Sequence, residues 1–140
     1  YTVSAWVKAT NWTVGRTILS SVTSEYEPHI HIWTNGKVQI VANASDGYLP
    51  SVTVLAADTF YFVTAIFDGL YKEIRLNGVS DASETDPTYS AGWGASGHDI
   101  GILTAAQPFL GTIGEVWVWK RRITAAEDLH IYEKTKWRYS

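Results

Sequence analysis

The sequence has neither cysteine nor methionine. Without cysteine there are no disulfides, no zinc–thiolate sites and no thiol catalysis, so packing alone must hold the fold. Methionine is missing at position 1 as well, where Tyr1 stands, and the chain is expected to start inside a longer product. Long apolar runs are lacking too. None approaches the roughly 20 residues that a membrane-spanning helix requires, and no stretch reads as a signal peptide, so membrane insertion is not expected. Positive charge is in deficit, with 11 Lys and Arg against 14 Asp and Glu and a net charge of -3, which gives no electrostatic footprint for nucleic acid. No Gly-x-Ser-x-Gly elbow, phosphate loop or His-Glu-x-x-His pair is present.

What the chain does have is aromatic side chains, with 7 Trp and 8 Tyr among 140 residues. Bulky amphipathic rings either fill a sandwich core or lie on a surface as a binding platform. The length suits one domain with a real core, and a hydrophobic share of 46% is that of a globular protein. Charge is unevenly spread. Lys120, Arg121, Arg122, Lys134, Lys136 and Arg138 crowd the end of the chain against Glu127, Asp128 and Glu133, which reads as the solvated face of a corner and a terminal helix.

Almost every other segment reads as a strand. Residues 1–8 alternate, with Val3, Ala5 and Val7 on one face and Ser4, Trp6 and Lys8 on the other, the two-residue period of extended chain. A loop at 11–16 leads to a strand at 17–22. Pro28 opens a strand over 29–34, which Asn35-Gly36 turns into another at 37–42, Asn-Gly being the strongest short hairpin signal. Asp46-Gly47 predicts a further turn and 51–56 an extended segment. Residues 60–67 are apolar on both faces and predict a central strand. Asp68-Gly69 turns it into a strand at 72–76, closed by Asn77-Gly78. Residues 79–97 read as a long polar connection, and 98–103 as a short strand.

The segment that organises the rest is 111–133. In its first half Ile113, Glu115, Trp117 and Trp119 are expected on one face, with Val116 and Val118 on the other. After a basic corner at Lys120 to Arg122, Thr124 is a good N-cap and Glu127 completes a capping box, which predicts a short helix. Many short strands with closely spaced turns and one late helix describe a β-sandwich.

These blocks carry a family resemblance. Residues 2–8 around Trp6, the hairpin of 60–69 and 74–78, and the closing pair 111–119 and 123–127 resemble, in order and spacing, laminin G-like modules of the concanavalin A-like lectin/glucanase superfamily. The resemblance covers most of the chain. It implies an all-β fold, a concanavalin A-like jelly-roll sandwich of two antiparallel sheets with one sheet concave and one short C-terminal helix, as a single domain over 1–140. It also implies an extracellular or cell- or particle-surface setting and a non-catalytic binding or adhesion role. The family's pattern has a strand ahead of the Trp6 strand, so this domain is expected to lack its leading strand. Gly114 stands where the family often has an acid, which counts against a carried-over metal site.

Glucanases of this fold carry Glu-x-Asp-x-Glu on one strand, and retaining hydrolysis needs two carboxylates about 5 Å apart. Here the nearest match is Glu84-Thr-Asp86, with Thr88 in the third place and Pro87 interrupting it, so no catalytic residue is assigned and the chain is not expected to be an enzyme. Calcium takes oxygen ligands from loops. Asp81, Glu84, Asp86 and Asp99 are possible donors, but the expectation is solvated acids and no metal site. Asn11-Trp-Thr13 and Asn43-Ala-Ser45 match the N-glycosylation pattern.

His29, His31 and Trp33 share one face of their strand, with Ile30 and Ile32 turned to the core. The plain expectation is an outer, half-exposed face. Two imidazoles at this spacing can also hold a transition metal, and with Trp33 they make a polar-aromatic floor on which a sugar stacks while its hydroxyls are hydrogen-bonded. Trp93, held between Gly92 and Gly94, and Tyr48, beside Asp46-Gly47, are loop aromatics that a strand core does not explain. Trp117 and Trp119 are expected in the packing, covered by Leu129 and Tyr132 of the helix. The candidate ligand-binding set is therefore His29, His31, Trp33, Tyr48 and Trp93. The expected partner is a glycan or glycoconjugate, with assembly into a virus or phage particle through other protein chains as the alternative.

Overall fold

The structure, a computed structural model, describes residues 1–21, 29–41, 48–85, 97–102 and 108–140. Its strands are β1 (Thr2–Ala9), β2 (Arg16–Ser21), β3 (His29–Ile32), β4 (Lys37–Val41), β5 (Tyr48–Val54), β6 (Tyr61–Asp68), β7 (Tyr71–Leu76), β8 (Val79–Thr85), β9 (His98–Ile100) and β10 (Gly111–Trp119), followed by α1 (Ala125–Thr135) and a 3-10 turn at Lys136–Arg138. They form two antiparallel five-stranded sheets, β10-β1-β6-β7-β8 and β5-β4-β3-β2-β9. This is the expected sandwich. Asp46-Gly47 and Asn43 lie outside the described residues.

The core lies between the sheets. Val3, Ala5 and Val7 of β1, Val63, Ala65 and Phe67 of β6, and Ile74 of β7 meet Ile30, Ile32, Val38 and Ile40 of β3 and β4. Burying each large aliphatic chain contributes about 2 kcal/mol. The central position of β6 explains why its sequence is apolar on both faces. Phe62 and Ile66, on the side away from the core, are as fully buried as Ala65. Their cover is α1.

That helix starts as expected: the Thr124 side chain accepts from the Glu127 backbone and Glu127 returns a bond to the Thr124 N–H. Trp6 is its anchor. The indole stacks on Tyr139 at 4.5 Å and on Tyr132 at 5.8 Å, and meets Phe62 at 5.3 Å. Its Nε1 donates to Thr135 Oγ1 at 2.9 Å. Beneath the first turn of the helix, Thr64 Oγ1 donates to the buried Asp128 carboxylate at 2.7 Å. Four of the basic side chains at this end of the chain are paired locally. Arg121 pairs with Glu127, Arg122 with Glu73, Lys136 with Glu133 and Arg138 with Glu115.

Two local readings are corrected. Residues 79–85 are strand β8, not a polar connection. β8 is an edge strand, and its Ala82 is the residue packed against the core, so it carries little apolar signal. Asn77-Gly78, with φ of +53° and +80°, is a type I′ hairpin turn and leads straight into it. The acids on β8 are therefore not loop acids. Glu84 pairs with Lys72 at 2.7 Å. Asp81 accepts the backbone N–H of Val52 at 2.6 Å and of Thr53 at 3.2 Å, tying the β8 edge of one sheet to the β5 edge of the other. Asp81→Ala is expected to lower stability by about 2 kcal/mol, the usual loss for hydrogen bonds to a charged group. A urea unfolding midpoint within error of the parent would contradict this clasp.

The second correction is in β10. Ala5 faces Val116 and Val7 faces Ile113, so Gly114 and Glu115 both oppose Trp6. This is a β-bulge, which reverses the alternation beyond it. Ile113 therefore packs against the core together with Val116, while Trp117 turns to the helix side and meets Phe62 edge-on at 5.8 Å. Gly114 also gains a reason. A Cβ there would stand 2.5 Å from the Tyr139 hydroxyl oxygen and 2.6–2.8 Å from its ring atoms, and the hydroxyl accepts the Glu115 N–H at 3.0 Å. An acid at 114 would displace Tyr139 from Trp6.

Candidate binding face

The β5-β4-β3-β2-β9 sheet turns one face to the core, and the alternation of β3 decides what the other presents. Because Ile30 and Ile32 point inward, His29 and His31 point outward, with Trp33 following the last residue of the strand. The three rings form a row. Centroids are 5.1 Å apart between His29 and His31 and 5.2 Å between His31 and Trp33. The histidines are not half-exposed as expected: His29 is 4% exposed and His31 3%. Trp33, at the end of the row, is 39% exposed.

Register extends the row sideways. His29 pairs with Val41, and Val41 with Tyr48, which sets Tyr48 two strands away, about 10 Å at the spacing of adjacent strands. Tyr48 is 49% exposed. His31 pairs with Gln39 on β4 and Thr17 on β2. His29, His31, Trp33 and Tyr48 thus share one face, and Trp93 lies outside the described residues.

Gln39 is the member that sequence reasoning missed. His31 Nε2 lies 2.9 Å from Gln39 Oε1. A side-chain carbonyl only accepts, so Nε2 carries the proton and Nδ1 is left with its lone pair. That Nδ1 is buried and has no hydrogen-bond partner among the described residues. Burial pushes the His31 pKa from 6.5 down to about 4; the Gln39 bond opposes this and the neighbouring His29 adds to it. The imidazole is therefore neutral at physiological pH.

Of the acid candidates, Asp81 and Glu84 belong to the opposite sheet and Asp86 lies outside the described residues, while Asp99 pairs with Ser20 at the β9 edge of this sheet. Among the described residues no three His, Asp or Glu side chains come together as a metal cluster. On the helix side, a groove of about 510 Å³ runs between Trp119, Ile123 and Ile131, and one of about 360 Å³ lies beside Phe60, Tyr132 and Trp137.

With the sandwich and this face in place, comparison with known proteins is decisive for the family. The laminin G-type family model, described as concanavalin A-like lectin/glucanases superfamily, matches residues 1–127. The chain belongs to that superfamily. No curated protein sequence matches this superfamily member, but solved structures do. A Bacteroides ovatus protein superposes with a TM-score of 0.76 at 18% identity, over 91% of this chain and 39% of its own. The CBM40 module of the Ruminococcus gnavus IT-sialidase, bound to α2,3-sialyllactose, has a TM-score of 0.76 at 17% identity, over 94% of this chain and 81% of its own. Domain 4 of a GH43 extracellular arabinanase from Geobacillus stearothermophilus, in complex with arabinotriose, has a TM-score of 0.74 at 18% identity, over 94% of this chain and 65% of its own. At these identities the likeness is one of fold. The superfamily member thus spans well under half of the first structure and just under two thirds of the third.

Proposed function

We propose that this chain is a non-catalytic carbohydrate-binding module which holds a glycan on the outer face of the β5-β4-β3-β2-β9 sheet. The observation that carries the reading is the His29–His31–Trp33 row. It sets an exposed indole beside two buried polar rings on the face of the sheet turned away from the core. Sugars present apolar C–H faces that stack on aromatic rings and hydroxyls that need hydrogen-bond partners, and this face offers both. Modules of this fold in complex with sialyllactose and with arabinotriose support the ligand class. An extracellular or surface setting goes with it, one of those modules being part of an extracellular enzyme.

The test is a glycan array probed with the purified domain, once with calcium and once with chelator. Reproducible binding of a glycan subset is expected. Trp33→Ala is expected to weaken the strongest hit about tenfold, the size of a lost stacking contact of about 1.4 kcal/mol. A blank array with folded protein would refute the reading.

A further inference from the structure

We propose that His31 Nδ1 is the specificity-determining acceptor of this face, taking a hydrogen bond from a hydroxyl of a neutral oligosaccharide and turning away sugars that place a carboxylate there. The inference rests on the carbohydrate-binding reading and names the ligand class within it.

Three observations converge on that atom. First, Gln39 Oε1, 2.9 Å from Nε2, fixes the tautomer, so that Nδ1 offers a lone pair and no proton. Second, Nδ1 is buried with no hydrogen-bond partner among the described residues, while the other ring nitrogen is satisfied. Leaving a buried acceptor unpaired costs its full desolvation, and a ligand donor recovers it. Third, the His31 ring lies between those of His29 and Trp33, with centroids 5.1 and 5.2 Å away, a polar and aromatic setting that suits a sugar. A hydroxyl donates to such a lone pair. A carboxylate presents only lone pairs of its own and is repelled. This contrasts with the sialic acid of the ligand seen on the sialidase module.

Access requires one movement. Nδ1 is covered in the chain as it stands, so a ligand must displace its cover. Trp33 is placed to move, because its ring lies tilted beside the imidazole at 5.2 Å, and the residue follows the last one of β3 and is itself exposed. Rotation of an exposed side chain takes picoseconds to nanoseconds. The displaced indole then lies against the sugar.

The pair of variants that tests this uses the shapes of the two amides. His31→Gln keeps a donor near the Nε2 position, toward Gln39, and removes the Nδ1 acceptor. His31→Asn places an amide oxygen near Nδ1 and gives up the Gln39 bond. Both are compared with the parent on an array of neutral oligosaccharides and their sialylated counterparts, with folding checked by circular dichroism. The expected result is binding of neutral glycans, about a tenfold loss in His31→Gln and a smaller loss in His31→Asn. Neutral binding undiminished in His31→Gln would overturn the role of Nδ1 and leave the module reading standing. Binding confined to sialylated glycans would overturn the ligand class in the same way. A blank array from folded parent protein would remove both readings together.

Discussion

Trp6→Ala is expected to destabilise the domain by about 3–5 kcal/mol, the range for removing a large aromatic from a packed site, and to lower its melting temperature by more than about 10 °C. The size follows from what the indole connects. It joins β1 to the C-terminal segment through rings at 4.5 and 5.8 Å and through its bond to Thr135. It touches Phe62, Tyr132, Tyr139 and Thr135 together. Trp6→Phe, which keeps a ring and loses the hydrogen bond, is expected to lose only about 1–2 kcal/mol. Equal losses in the two variants, read from denaturant midpoints, would show that the stack contributes little. Glycan binding by folded Trp6→Ala protein should be unchanged, because the proposed face lies on the other sheet.

Acid is expected to weaken the fold through His31. In the unfolded chain the imidazole titrates near 6.5; in the folded chain burial holds it down at about 4. Between those values the unfolded chain binds a proton that the folded chain refuses, so stability falls as pH drops from about 6.5 toward about 4 and is fully present above that window. The gap corresponds to about 3 kcal/mol. Burial raises the Asp128 carboxyl, which acts in the opposite sense, so the effect must be read as a difference. His31→Gln, which cannot protonate, should lose about 3 kcal/mol less than the parent between about pH 7 and pH 4. Parallel stability curves for the two proteins would contradict a buried, neutral His31.

Much of the fold was legible because apolar residues keep a two-residue period. β1, β6 and the capping box of α1 could be read from the chain directly, and their family resemblance with them. What stayed hidden was where backbone geometry rather than composition decides. The β10 bulge adds one residue opposite Trp6, and nothing in an alternating run of valine and tryptophan announces it. β8 escaped because an edge strand needs few apolar side chains, although Asn77-Gly78 was itself a hairpin signal.

The candidate face shows the same division. The sequence placed His29, His31 and Trp33 together because strand periodicity requires it. It could not place Gln39, since a two-residue turn at Asn35-Gly36 pairs His31 with Ile40. In the structure Gly36 alone takes a positive φ, of +75°, and its N–H bonds to the Trp33 carbonyl at 2.9 Å. The loop is therefore three residues long, a type I turn followed by a left-handed glycine. That one-residue change of register brings Gln39 opposite His31. The burial of both histidines was also beyond periodicity, which assigns a face and not its depth.

The central claim is that glycan binds on the histidine–tryptophan face of the second sheet and not in the grooves beside α1. The most direct measurement is a nuclear magnetic resonance titration of nitrogen-labelled domain with the strongest array glycan, following the tryptophan indole signals. The account predicts that the Trp33 indole shifts progressively and saturates, together with the backbone amides of His29–Ile32 and Gln39. The Trp6 indole, bonded to Thr135 beneath the helix, should stay in place. Saturable shifts confined to Trp119 or Trp137 and the amides of α1, with Trp33 unmoved, would contradict it and put the binding site on the opposite side of the sandwich.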